Sequence, residues 1–111
     1  MDAQTLMKFR DRLDQEATDL RAADQETTEN RAPVELDQTQ VGRLSRMDAL
    51  QQQAMAQAQS RRRTARLMAI AAALKRMDQD DFGWCEECGE EIPLGRLTLD
   101  PCAAKCVACA R

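Results

Sequence analysis

The chain has 111 residues, a net charge of −3, and neither histidine nor tyrosine. A near-balanced charge gives no cation surplus for a general electrostatic grip on DNA. The missing histidine removes the commonest acid–base catalyst, so the sequence speaks against an enzyme.

The first ten residues lack an apolar core followed by a small-residue cleavage site, so no signal peptide is expected. No apolar run approaches the roughly 20 residues that span a bilayer. A cytoplasmic location is the expectation, and reduced thiols there favour metal binding over disulfides. Phe9, Phe82 and Trp84 are the only aromatic residues. Alanine, leucine and methionine supply much of the apolar content, as in long paired helices.

Leu6, Leu13 and Leu20 fall seven residues apart, with Phe9, Ala17 and Ala23 on roughly the same side. This is the stripe of a helix that packs along another helix, expected over residues 3–30 with Asp2 as N-cap. Pro33 breaks the pattern. Residues 31–40 read as the tip of a hairpin, with Asp37 the best cap for the next helix. Glu35 and Asp37 make that tip acidic, and Asp48 is the next acid beyond it; these three are the candidate partner-binding residues.

A second helix is expected over residues 38–79, interrupted only by Gly42. Leu44, Met47, Leu50, Ala54, Ala58, Ala65 and Met68 drift along one face, which is expected to form the seam. Leu67, Ile70, Leu74 and Met77 give a clean helical spacing at its end. This last stretch is expected to pack against residues 1–9 and against Phe82 or Trp84. Arg61, Arg62 and Arg63 fan around the helix, which suits a solvated surface better than a phosphate-binding patch.

Cys85-x-x-Cys88 and Cys106-x-x-Cys109 stand 17 residues apart. Two such pairs are the signature of a four-thiolate zinc site, with iron or a redox disulfide as the alternatives. Four thiolates leave no open position, so the zinc is structural. Gly89 suits a left-handed turn after the first pair. Asp100 and Pro101 suggest the start of a short helix over residues 101–110, which would place Cys106 and Cys109 on one face. Cys102 would share that face, and is a candidate redox thiol.

The run Asp81-Phe82-Gly83-Trp84-Cys85-x-x-Cys88-Gly89-x-x-Ile92-Pro93-x-x-Arg96-Leu97, with Pro101 and Cys106-x-x-Cys109, resembles the DksA/TraR family over residues 74–111. The resemblance implies an all-α fold. A long antiparallel coiled-coil hairpin over residues 1–80 has its tip near 31–40, and a C4 zinc finger containing a short helix follows over 81–111. It also implies one Zn²⁺ on Cys85, Cys88, Cys106 and Cys109, and a regulator that binds bacterial RNA polymerase through its secondary channel. The family tip motif, D-x-x-D-x-A, falls on Gly42, Ser45 and Met47, so this is a short member with a divergent tip. Asp100 stands where the family has a basic residue, which speaks against a ppGpp response. A monomer without sequence-specific DNA binding or membrane contact is expected. The other reading is a zinc-stabilised helical module for a different protein partner.

Overall fold

A computed structural model describes residues 1–27 and 43–110, and there the chain is helical without strands. Three helices follow in order: α1 (Ala3–Thr27), α2 (Arg43–Asp78) and α3 (Leu94–Leu99). The cysteine-rich segment follows α2 and contains α3. The expected tip, with Glu35 and Asp37, lies outside the described residues, as does Gly42. No described helix is long and apolar enough to cross a membrane.

Two compact units divide the fold. The first comprises Met1–Thr18 and Leu67–Arg111. Its core is apolar because both helices present apolar residues at helical spacing. Phe9, Leu13 and Ala17 come from α1, and Ile70, Ala73 and Met77 from α2. Leu97, Ile92, Phe82 and Pro101 close it from the cysteine-rich segment. Full burial of side chains such as Leu13 or Ile70 contributes roughly 1.5–3 kcal/mol each. The Phe9 and Phe82 rings meet here. Asp2 caps α1 by accepting the Thr5 N–H at 2.7 Å. That bond holds the Asp2 carboxyl below its usual range. Arg10 pairs with Asp78 across the helices in an exposed position, which contributes little.

The second unit is Asp19–Arg66. Here the seam differs from expectation. Met47 and Leu50 are exposed, as is Met68 of the first unit. The inward face of α2 is instead Arg46, Ala49, Gln53, Ala56, Ser60 and Arg63. Its alternating spacing of three and four continues through Leu67, Ile70, Leu74 and Met77. That unbroken heptad keeps one face inward, and it overrides the local cluster of Met47, Leu50 and Met68. Two of the polar members meet Asp24 of α1, while the Arg46 Nε is buried without a hydrogen-bond partner among the described residues. Ser60 donates to Asp24 at 3.2 Å, and Arg63 approaches the same carboxylate at 3.5 Å.

Helix α2 ends in a Schellman motif. The Asp81 N–H reaches the Arg76 carbonyl at 2.8 Å and the Asp80 N–H the Met77 carbonyl at 3.3 Å. Asp80 takes the left-handed position, with φ of 59°. Gly83 follows at φ of 92°, and a Cβ there would lie 3.2 Å from the Met1 side chain.

Candidate metal centre

The first cysteine pair sits in a backbone turn held by its own hydrogen bonds. The Gly89 N–H closes it on the Cys85 carbonyl at 3.0 Å, and Gly89 adopts φ of 74° as expected. Beneath it, Cys85 and Glu90 join at 2.8 Å and Ile92 donates to Gly83 at 2.7 Å, around an antiparallel bridge between Trp84 and Glu91.

The second pair departs from expectation. Residues 101–110 form turns rather than a helix, and the finger's short helix is α3, which starts after Pro93. Pro93 is the signal for that start in the sequence: its carbonyl accepts from Arg96 at 3.0 Å and Leu97 at 3.2 Å. Asp100 does act as a local cap, accepting the Cys102 N–H at 3.0 Å. No helix follows because the carbonyls that would propagate one are engaged elsewhere. Arg76 takes the Cys102 carbonyl at 3.3 Å, and the Glu86 N–H takes that of Ala104 at 2.9 Å. The Arg96 guanidinium takes the Lys105 carbonyl at 2.8 Å. Cys106 to Ala110 then repeats the first turn, with the Ala110 N–H on the Cys106 carbonyl at 2.9 Å. Both pairs therefore come from turns. Cys102 shares no helical face with Cys106, and stands outside the four-sulfur cluster.

The four sulfurs of Cys85, Cys88, Cys106 and Cys109 all lie within 4.8 Å of one another. Cys88 and Cys106 are 3.7 Å apart. A tetrahedral ion with metal–sulfur bonds of about 2.3 Å requires edges of about 3.8 Å, so the cluster fits zinc. Lys105 and Glu87 link the two turns at 3.3 Å.

Electrostatics around the sulfurs are uneven. The Cys88 backbone N–H donates to the Cys85 sulfur, as do those of Cys106 and Glu87, and this lowers the Cys85 thiol to about 6 against the cost of burial. The Glu90 N–H favours the Cys88 thiolate, but the Cys85 sulfur, burial and the Cys106 sulfur outweigh it and the thiol is raised. Cys109 is raised by its bonds to the sulfurs of Cys106, Cys85 and Cys88, in that order. Cys85 is thus the readier to ionise, and Cys88 and Cys109 hold their protons more tightly. A bound divalent ion supplies the charge that lets all four ionise, and fills every coordination position from the protein. The cofactor is one structural zinc ion. Asp48 is exposed on α2 and belongs to the second unit.

The prokaryotic dksA/traR C4-type zinc-finger family matches residues 80–111. The RNA polymerase-binding transcription factor DksA of Haemophilus influenzae is 52% identical over 40 residues, covering 36% of this chain and 28% of that protein. Its Escherichia coli K12 counterpart is 45% identical over 40 residues, covering 36% and 26%. These matches span less than a third of the relatives' length. The solved structure of transcription factor DksA2 from Pseudomonas aeruginosa superimposes with a TM-score of 0.82 at 27% identity, covering 99% of this chain and 83% of that one. The finger over residues 80–111 is thus similar to the dksA/traR C4 type, and the fold that carries it is similar to that of DksA2.

Proposed function

We propose that the chain is a transcription regulator that binds bacterial RNA polymerase, entering the secondary channel with its helical hairpin while zinc keeps the finger folded. The observation that carries this is the likeness to transcription factor DksA2 over 99% of the chain, together with the matching finger. Relatives named as RNA polymerase-binding factors support the choice of partner. Cys85, Cys88, Cys106 and Cys109 are the zinc ligands in this reading, and the ion has a structural rather than a catalytic task. The protein works as a cytoplasmic monomer without sequence-specific DNA contacts or chemistry of its own. Glu35, Asp37 and Asp48 are the acidic groups offered to the polymerase, and Cys102 is a thiol available to oxidants beside the finger.

The test is co-purification with core polymerase, competed by another secondary-channel factor, with wild type beside a Glu35→Ala/Asp37→Ala variant. A complex that the competitor displaces supports the reading. No complex at micromolar concentration overturns it.

A second reading keeps the module and changes the partner. It is favoured by Gly42, Ser45 and Met47, which leave the positions of the family's acidic tip motif without an acid. Untargeted capture from a bacterial lysate separates the two: polymerase subunits support the first reading, and a different dominant protein supports the second.

A further inference from the structure

Away from the cysteines, α1 and α3 enclose a cleft of about 290 Å³ lined by Thr5, Lys8, Phe9, Arg12, Leu94 and Thr98. Thr5, Lys8, Phe9 and Arg12 share one face of α1, and Leu94 and Thr98 are one turn apart on α3. We propose that this cleft binds an acidic segment of a protein partner, seating a carboxylate between Lys8 and Arg12 and an apolar neighbour against Phe9 and Leu94.

Charge is the first support. Two cations and no acid line the cleft, on a chain whose net charge is −3. Lys8 makes no hydrogen bond or ion pair among the described residues, and feels only a through-space attraction to Asp2. Arg12 donates to the Thr98 carbonyl, which fixes its guanidinium at the rim with further N–H groups to offer. The Thr98 hydroxyl is turned inward to the Leu94 carbonyl at 2.9 Å, so it does not compete for an anion as a donor.

Apolar surface is the second. Phe9 is a buried floor, whereas Leu94 stays 54% exposed beside the cations. An inorganic anion would use the charges and leave that leucine in water. A carboxylate beside an apolar side chain uses both. The volume lies at the small end of ligand sites, which suits one or two side chains better than a nucleotide.

This inference does not depend on RNA polymerase being the partner. It is tested on the zinc-loaded full chain by amide NMR, with the blocked peptide acetyl-Leu-Glu-Leu-Glu-amide as probe and its glutamine counterpart as control. Saturable shifts centred on Thr5, Lys8, Leu94 and Thr98 are expected with the glutamate peptide alone. Lys8→Gln should weaken binding roughly threefold, the range of an exposed ion pair, and Lys8→Arg should retain it. Circular dichroism checks that both variants remain folded. Equal binding of the two peptides overturns the proposal. So do shifts centred elsewhere, an unaffected Lys8→Gln variant, or inorganic phosphate matching the peptide's affinity.

Discussion

The rings of Phe9 and Phe82 stand 5.8 Å apart between centroids, inclined at 51°. They join the start of α1 to the segment that leads into the cysteines. Both are buried, so Phe82→Ala removes a large side chain that the surroundings cannot fully replace. A loss of about 3 kcal/mol is expected, read as a lower denaturant midpoint with zinc kept saturating. A variant as stable as wild type would mean that this contact does not hold the two segments together.

Zinc removal should act locally. Beyond Phe82 the described residues form the six-residue α3 and a set of turns that carry the cysteines. Metal binding supplies much of the folding energy of such a segment. Chelation is expected to disorder residues 82–110 and to leave α2 helical up to about Leu74. Trp84, 50% exposed beside the first cysteine, reports it. The expected result is a change in its emission with most far-ultraviolet ellipticity retained; unchanged emission would contradict it.

Zinc uptake should release protons. Cys88 and Cys109 are both raised above the ordinary thiol range, so at neutral pH they hold protons that the ion must displace. Cys85, lowered to about 6, is largely ionised there already. Its folded-state preference for the thiolate is present above the ordinary thiol value and is lost as pH falls through about 6. Acidification therefore weakens zinc binding. A weakly buffered zinc titration followed with a pH indicator should show acidification, and competition with a chelator should show affinity rising with pH. Affinity independent of pH would count against this ionisation pattern.

Asp80 holds a left-handed backbone position that glycine occupies without steric cost. Asp80→Gly should stabilise the end of α2 by roughly 0.5–1 kcal/mol, and Asp80→Val should destabilise it by more. Thermal midpoints of the two variants should move in opposite directions. A lower midpoint for the glycine variant would show that the aspartate side chain contributes more than the backbone strain costs.

Much of this structure was legible because its signals are covalent or periodic. The two C-x-x-C pairs announce a cluster by spacing alone, and the sulfurs do converge. Leu13, Ile70 and Met77 are inward where the helical stripe puts them. Two readings failed for the same physical reason: a local preference lost to a distant partner. Asp100 and Pro101 look like a helix start, but Glu86, Arg96 and Arg76 claim the carbonyls that the helix would need. Met47, Leu50 and Met68 look like a seam. The heptad inherited from Leu67, Ile70 and Leu74 instead turns Gln53, Ser60 and Arg63 inward, where Asp24 meets two of them. Neither long-range partner can be read from neighbours in sequence.

The change from apolar to polar residues along the inner face of α2 has a kinetic consequence. Amide hydrogens exchange with solvent through local opening, and opening is easiest where little apolar surface must be exposed. Amides around Ile70, Ala73 and Met77 should open only with the finger's core and exchange slowly. Those around Gln53 and Ala56 should exchange fast, although all belong to one uninterrupted helix. Exchange rates read residue by residue should trace that slope, with the step near Arg63 and Leu67. A single protection level along the whole of α2 would show that the helix opens as one cooperative unit.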